Sequence, residues 1–277
     1  MISKICDILC DNKILSVIKR SGPDNINSSY LCFLNDELKF NKRLQFHYNK
    51  KLCYIVYGFK YIYDDYKKYV LPIVYTDSSD NISIGTCFLY LGGIATAKHC
   101  IIGAKKIAIQ GITEDELIKA KYEIHNNDLL DLVFIRFEFN KDDTILFNQN
   151  ADVLDEVMTL GYPKIPGYHN YLTAEKANVS ARFTASTGQI SSKAEDIWIK
   201  EQLFLITAKI KGGNSGGPVI NNKGSVVGVT VNLSIGEGNY DDLGYGTVIP
   251  VSFLDELIHK EEKRYLDTHS IEFQNFD

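Results

Sequence analysis

The stretch Lys211-Gly212-Gly213-Asn214-Ser215-Gly216-Gly217-Pro218 places one serine among four glycines, and a strand-like segment, Val219-Ile220, follows it. Glycine permits positive φ angles and lets another backbone approach closely. Such a loop can present the serine hydroxyl outward, with the serine N–H directed at the same point. Acyl transfer needs this combination, a nucleophile with backbone donors about 3 Å from a developing oxyanion. A plain glycine-rich turn between two strands is the alternative, and the rest of the chain has to distinguish the two.

Composition narrows the classes of protein to consider. The 277 residues are 45% hydrophobic, which is enough to bury one or two cores. A net charge of −5 offers no basic field for nucleic acid, so no nucleic-acid partner is expected. The N-terminus lacks the apolar core of a secretory signal, and no apolar run approaches the ~18–20 residues of a membrane span. We therefore expect a cytoplasmic protein that does not enter a membrane.

The cysteines point to no metal or cofactor. Six are present at irregular spacing without a CxxC pair, so neither a zinc ribbon nor a redox motif is predicted. Without an export signal we expect them to be reduced.

Residues 1–66 are predicted to form a small mixed α/β extension. Apolar residues recur at helical spacing and predict one or two amphipathic helices up to Arg20. Aromatic and β-branched residues then predict strands, at 30–33, 44–48 and 52–57. Asn49-Lys50 is predicted as a hairpin turn between the last two. An aromatic-rich basic segment could bind single-stranded nucleic acid, but acids are interleaved here and we expect packing against the next domain.

From residue 70 onward, short strands at close spacing indicate an all-β protein of two units, about 69–140 and 155–250. The predicted strands are 70–75, 82–91, 94–97, 105–110, 121–124, 132–139, 155–160, 181–191, 203–206, 226–233 and 246–250. Ser252 is predicted to cap a C-terminal helix that runs to Ile258. Residues 259–277 remain as the end of that helix and a tail.

Two further fragments carry chemistry. His99, in Thr96-Ala97-Lys98-His99-Cys100, ends a small-residue strand, and imidazole is the general base most easily poised near neutral pH. Asp131 heads an apolar strand, where a carboxylate needs a partner such as a histidine N–H. A turn or capping role is the alternative for Asp131, and Asp128 in the preceding polar turn is the weaker candidate. The remaining histidines are expected to be structural or merely exposed: His47, His125, His169, His259 and His269.

These fragments follow one another as histidine, aspartate and serine, an order that resembles chymotrypsin-like serine proteases and differs from α/β-hydrolases and subtilisins. The flanking sequences are similar to the short bacterial branch, the protease domain of the high-temperature-requirement type and the glutamyl endopeptidases. The similar segments are Gly85-Thr86-Cys87-Phe88-Leu89, Leu160-Gly161-Tyr162-Pro163, Thr187-Gly188-Gln189-Ile190-Ser191 and Gly246-Thr247-Val248-Ile249-Pro250. The resemblance covers about residues 69–258, within a predicted protease domain of 67–258, and no PDZ domain is expected after it.

The resemblance implies two six-stranded antiparallel β-barrels with the active site between them. Ser215 would be the nucleophile, His99 the general base and then acid, and Asp131 the residue that orients the histidine. The N–H groups of Gly213 and Ser215 would form the oxyanion hole. The implied substrate is a polypeptide, and no cofactor or metal is needed.

The resemblance also implies a specificity pocket. The pocket would be lined by Lys209, Ile210, Thr230, Val231 and Leu233. Lys209 stands where trypsin has an acid, so cleavage after Arg or Lys is not expected. An acidic P1 residue and a small or medium apolar one remain the alternatives.

Secreted relatives of this type carry a disulfide at the histidine motif. It would use Cys100, but its partner position falls about two residues before Cys87. We expect Cys87 and Cys100 to be a reduced pair, and whether they bond stays open.

The leading interpretation is an active serine endopeptidase. In a mixed version, the protease is held inactive until a protein partner, acting through residues 1–66, orders its oxyanion loop. A catalytically silent sensor or scaffold of the same fold is the alternative from the binding class. An esterase is the chemical alternative, because the same triad cleaves esters.

Overall fold

The computed structural model describes residues 2–12, 14–19, 29–32, 42–165, 170–174, 177–231 and 245–276. The chain divides into two compact units, residues 1–65 with 222–224, and residues 66–221 with 225–277. No helix within the described ranges combines the length and the apolarity that a membrane span requires.

The N-terminal unit mixes helices with a short hairpin. Its elements are α1 (Ile2–Asp11), β1 (Leu15–Lys19), β2 (Ser29–Cys32) and α2 (Lys42–Tyr66). β1 and β2 pair in antiparallel fashion. The prediction of helix up to Arg20 is therefore wrong beyond α1, because the β-branched residues Val17 and Ile18 lie in a strand that finds a pairing partner.

Helix α2 replaces the strands predicted at 44–48 and 52–57 and the turn predicted at Asn49-Lys50. Its aromatic residues follow a helical spacing. The ring centroids of Tyr57 and Tyr61 lie 5.6 Å apart, and those of Tyr54 and Tyr61 lie 5.9 Å apart. The helix is kinked at Gly58, whose backbone (φ +64°, ψ −157°) is not helical, and these contacts of Tyr61 join the segments on either side of the kink. Together with the helical backbone they outweigh the β propensity of single tyrosines.

The second β unit of the predicted protease domain is a closed six-stranded antiparallel barrel, as predicted. Its strands are β9 (Glu156–Gly161), β12 (Thr184–Glu195), β13 (Gln202–Ile206), β14 (Pro218–Asn221), β15 (Val226–Val231) and β16 (Gly246–Pro250). Around the barrel they run in the order β12-β13-β16-β15-β14-β9. A separate hairpin, not predicted, is made by β10 (Asn170–Ala174) and β11 (Ala177–Ala181). Buried apolar residues fill the barrel, among them Val157, Ile190, Phe204, Val227 and Val248.

The first half is a half-barrel sheet rather than a second closed barrel. Six of its eight strands were predicted: β3 (Val70–Thr76), β4 (Ile82–Tyr90), β5 (Gly93–Thr96), β6 (Lys106–Ile109), β7 (Lys121–Ile124) and β8 (Val133–Arg136). The short helix α3 (Glu114–Lys119), which was not predicted, connects β6 to β7. It begins with a capping box in which Thr113 and Glu116 bond to each other's backbone N–H.

The C-terminal helix α4 (Val251–His259) is followed by two short strands, β17 (Arg264–Tyr265) and β18 (Glu272–Phe273). β17 pairs with β7 and β18 with β6, so the tail covers both edges of the half-barrel. The ring of Phe273 stacks on that of Tyr122, with centroids 5.7 Å apart. The predicted N-cap Ser252 is wrong, because the helix begins at Val251 and Pro250 occupies the N-cap position, without a side-chain capping bond.

A buried carboxylate ties this tail to the sheet. Glu123, 1% exposed, accepts from Arg136 Nε at 2.6 Å and Nη2 at 3.1 Å, and Lys263 Nζ lies 3.3 Å away. Lys263 also donates to the carbonyls of Leu257 and Ile258 at the end of α4. Two cations and a bidentate hydrogen bond satisfy a charge that could not be buried alone.

Candidate active site

His99 lies in a single 3₁₀ turn (Lys98–Cys100) at the end of β5. Its Nδ1 donates to Oδ2 of Asp131 over 2.6 Å, and its backbone N–H donates to Oδ1 over 2.8 Å. An ionised carboxylate only accepts, so Nδ1 carries the proton and Nε2 keeps its lone pair. Leu130 and Leu132, both fully buried, fix Asp131 on either side. This pair can accept a proton at Nε2, and the His99 side chain, 40% exposed, is within reach of a ligand.

The pKa of His99 results from opposing effects. Burial lowers the pKa, but the hydrogen bonds and charges of Asp131 and Cys100 outweigh burial and raise it well above the usual 6.5. The imidazolium form is therefore stabilised here. A base whose protonated form is stabilised in place suits a reaction that transfers a proton to it.

The other candidate acid and the other histidines lie elsewhere. The carboxylate of Asp128 is 70% exposed and lies 2.8 Å from Arg264 Nη2. His125 is buried, and its Nε2 lies 3.5 Å from Glu256 Oε2. His259 ends α4, His269 is exposed, and His47 belongs to the N-terminal unit, whereas His169 lies outside the described residues. Of the two candidate acids, Asp131 and Asp128, the structure places Asp131 beside His99.

Residues 211–217, named the nucleophile loop after the predicted role of Ser215, connect β13 to β14 through two tight turns. Asn214 N donates to Lys211 O, and Gly217 N donates to Asn214 O, each over 2.9 Å. Gly213 has φ +101° at the third position of the first turn, and Gly212 has negative φ, which defines a type II turn. A Cβ on Gly213 would lie 2.3 Å from the carbonyl oxygen of Tyr162, so glycine is required there.

Every carbonyl from 212 to 215 is held by a donor. Lys164 N donates to Gly212 O (2.8 Å), Thr86 Oγ1 to Gly213 O (2.7 Å), Thr230 Oγ1 to Asn214 O, and Thr86 N to Ser215 O (2.9 Å). By contrast, among the residues that the structure describes, the N–H groups of Gly213 and Ser215 have no acceptor. The N–H and C=O of a trans peptide point in opposite directions, so the held carbonyls direct these two N–H groups away from their anchors. Two oriented, unused donors beside a serine are what an oxyanion requires.

The loop packs directly on the segment that leads to His99. A Cβ on Gly216 would lie 2.2 Å from Thr86 O and 2.7 Å from Ala97 N. Ser215, 4% exposed, is thereby held against strand β4 and next to the turn of His99. The structure thus brings the predicted serine, histidine and aspartate to one region between the half-barrel and the barrel.

The residues predicted to line the specificity pocket have different surroundings. Lys209 has an exposed side chain, and its backbone N–H donates to Ser186 Oγ over 2.9 Å. The side chain of Ile210 occupies the space above Gly246, whose Cβ would lie 2.3 Å from Ile210 Cδ1. Thr230 is fully buried behind the nucleophile loop, and Val231 is also buried. Leu233 lies outside the described residues.

Cys87 and Cys100 are both free and buried. Burial and the neighbouring Cys100 raise the pKa of the Cys87 thiol, and Cys87 Sγ donates to Leu71 O over 3.5 Å. A Cβ on Gly85 would lie 2.5 Å from Cys100 Sγ. Position 85, two residues before Cys87, is therefore the one that faces Cys100.

Sequence reasoning missed two donors that hold the loop, Thr86 and the backbone of Lys164. Thr86 was part of a segment that resembles the family, but no role was predicted for it. The signal that could have found it is a hydroxyl within a strand whose neighbours are apolar, since a buried polar group needs partners.

Comparison with known proteins bears on this site. The sequence profile described as a trypsin-like peptidase domain matches residues 85–229, which include His99, Asp131 and Ser215. The serine endoprotease DegS of Haemophilus influenzae is 29% identical over 185 residues, covering 65% of this chain and 50% of DegS. The magnetosome formation protease MamE of Paramagnetospirillum magneticum is 26% identical over 180 residues, covering 61% of this chain and 22% of MamE. The chain thus spans half or less of the length of these relatives.

Solved structures show the same fold. The active form of the Rv3671c protease from M. tuberculosis matches with a TM-score of 0.54 and 20% identity, covering 75% of this chain and 87% of that one. The HtrA-type protease AlgW with a tripeptide matches with a TM-score of 0.51 and 18% identity, covering 72% and 62% of the two chains.

Proposed function

The chain belongs to the trypsin-like peptidase domain family, and on that basis we propose that it is a serine endopeptidase. The observation that carries the proposal is the nucleophile loop, in which the buried N–H groups of Gly213 and Ser215 have no acceptor among the described residues. A loop with a purely structural role would have no need to leave two buried N–H groups, on either side of Asn214, without such acceptors.

The proposed reaction follows from the contacts. Ser215 Oγ attacks the peptide carbonyl while its proton passes to His99 Nε2, and Asp131 stabilises the resulting imidazolium through Nδ1. The oxyanion is bound by the N–H groups of Gly213 and Ser215. His99 then protonates the leaving amine. Water attacks the acyl-enzyme and gives a proton to His99 Nε2, and His99 passes that proton to Ser215 Oγ as the bond to the acyl group breaks and the carboxylic acid leaves.

For the P1 residue we propose a small or medium apolar side chain rather than an acidic one. Ile210 fills the space above Gly246, which narrows the pocket and lines it with aliphatic carbon. The side chain of Lys209 is exposed, where a solvated ammonium contributes little to holding a carboxylate.

The test is cleavage of a peptide library by the full chain, with Ser215→Ala and His99→Ala as controls. Cuts made by the wild type alone, after small apolar residues, support the proposal. Cuts after Asp or Glu would contradict the pocket assignment, and equal cutting by Ser215→Ala would contradict the mechanism. Comparing matched ester and peptide substrates separates an endopeptidase from an esterase.

Activation by a protein partner through residues 1–66 is a second proposal. It is favoured by the separate N-terminal unit, whose helix α1 has no fully buried residue. The N–H groups of Gly213 and Ser215, which have no acceptor within the described part of the chain, argue for an enzyme that is already competent. Casein hydrolysis by the purified chain at a rate that no partner increases would contradict activation. Unchanged biological function of Ser215→Ala would instead favour a sensor or scaffold.

A further inference from the structure

Thr86 makes four hydrogen bonds at the point where the nucleophile loop meets strand β4. Its side chain and backbone are fully buried. Oγ1 donates to Gly213 O (2.7 Å) and accepts from Tyr162 N (2.9 Å). The Thr86 N–H donates to Ser215 O (2.9 Å), and Thr86 O accepts from Thr96 Oγ1 (2.8 Å).

The direction of the Thr86 hydroxyl proton is fixed by these partners. A hydroxyl has one proton, and the backbone N–H of Tyr162 can only donate. Oγ1 therefore accepts from Tyr162 N and donates its proton to Gly213 O. The hydroxyl thus connects Tyr162, which follows β9, to the nucleophile loop, accepting from the first and donating to the second.

The two bonds to the loop anchor a segment that contains one oxyanion donor, the Ser215 N–H, and adjoins the other, the Gly213 N–H. Thr86 holds the carbonyl of Gly213 with its side chain and that of Ser215 with its backbone. The peptide between Gly213 and Asn214 is fixed at its other end by the bond from Asn214 N to Lys211 O, so it cannot rotate. Both N–H groups that would bind the oxyanion lie within or next to this clamped segment.

Thr86 also connects the loop to the segment of the general base. Thr96, whose hydroxyl holds Thr86 O, ends β5, and His99 follows three residues later. A Cβ on Gly216 would lie 2.5 Å from Thr96 Oγ1, so loop, β4 and β5 meet without a gap. One residue therefore sets the loop relative to both Ser215 and His99.

From these contacts, and resting on the proposed endopeptidase function, we propose that Thr86 is a positioning residue for the oxyanion hole. Its hydroxyl, from the opposite sheet, fixes the orientation of the Gly213–Asn214 peptide, which connects the two peptides that carry the oxyanion donors. Preorganised donors contribute to catalysis only if they are held in the correct direction before the reaction. Loss of the hydroxyl should therefore slow the chemical step while substrate binding stays nearly unchanged.

The test compares Thr86→Val, which keeps the shape of the side chain but removes the hydroxyl, with Thr86→Ser, which keeps the hydroxyl. Thr144→Val is the matched control: Thr144 is also buried, and its Oγ1 accepts from Gly92 N over 3.2 Å, away from the loop. All variants are made in the full chain, and folding is checked by circular dichroism and thermal unfolding.

We expect Thr86→Val to lower kcat about 10- to 100-fold, less than the 10²–10³ of a donor lost outright, with KM changed by less than about threefold. A peptide boronate, which forms an oxyanion-like adduct with the serine, should lose affinity by the same factor. Thr86→Ser should lie within about threefold of the wild type, and Thr144→Val should match the wild type.

Equal kcat and boronate affinity in Thr86→Val and Thr144→Val would overturn the positioning role. If Thr86→Val does not fold, Thr86→Ala and Thr86→Ser make the same comparison, and equal kcat in that pair overturns it as well. A folded wild type that cleaves no peptide would overturn the proposed function itself, and this inference with it.

Discussion

Replacing Gly213 with alanine is the sharpest perturbation of the oxyanion hole. The added Cβ would lie 2.3 Å from the carbonyl oxygen of Tyr162. Carbon–oxygen contacts are normally near 3.3 Å or longer, so the loop has to move by roughly 1 Å. A displacement of that size costs about 10² in rate, and complete loss of one oxyanion donor costs about 10²–10³. We therefore expect Gly213→Ala to lower kcat by about 10²–10³.

Gly111→Ala is the matched control for backbone strain. Gly111 has φ +75° and no heavy atom within 4 Å of its Cβ position, whereas Gly213 has φ +101° and the clash. Both variants carry the cost of a side chain at positive φ, about 1–2 kcal/mol, but only Gly213→Ala displaces the loop. The assay is steady-state cleavage of one peptide, with thermal unfolding of both variants. Equal kcat values in the two variants would refute the assignment of Gly213 to the hole.

Three other perturbations test the site and its support. Asp131 raises the pKa of His99, so the neutral base forms only at a higher pH than for a free histidine. The kcat/KM of the wild type should therefore reach half its plateau above pH 6.5. Asp131→Asn should lower kcat about 10⁴-fold and move that limb to lower pH, and an unmoved pH–rate profile would contradict the pairing. Gly85→Cys should form a disulfide with Cys100, seen as loss of free thiol, and stabilise by about 3 kcal/mol for a loop of this length; two free thiols under oxidising conditions would count against that geometry. Glu123→Ala should cost about 3–5 kcal/mol in urea unfolding, since it leaves two cations without their buried partner, and a loss below about 1 kcal/mol would show the network to be dispensable.

The sequence predicted the parts of this molecule that depend on local pattern. The strands of both β units alternate or run apolar between turn residues, and their period can be read directly from the chain. The chemistry of His99, Asp131 and Ser215 could be proposed because each lies in a short segment at the edge of a strand. The structure then places the carboxylate of Asp131 against His99.

Helix α2 could not be predicted in the same way. Its tyrosines and isoleucines favour strands as single residues, and the contacts of Tyr61 with Tyr54 and Tyr57 across the kink at Gly58 have no signature in the local sequence. The tail was missed because two-residue strands such as β17 and β18 have no pattern of their own. They exist because the edges of β7 and β6 offer unpaired backbone groups.

The supports of the nucleophile loop depend on contacts between residues far apart in the chain. Thr86 and Gly213 are separated by 127 positions, yet their hydrogen bond fixes the peptide next to the serine. Position 85 faces Cys100 only because β4 crosses beside the turn of His99. Such contacts follow from the packing of the half-barrel against the barrel, and no spacing in the sequence encodes them.

The proposed chemistry of Ser215 can be tested directly with a fluorophosphonate reagent. The wild-type chain should be labelled in a time-dependent reaction at one site, identified by mass spectrometry of the peptide that contains Ser215. Ser215→Ala should take up no label, and His99→Ala should react far more slowly. Folded wild-type protein that remains unlabelled, or a label found on a different residue, would contradict the account.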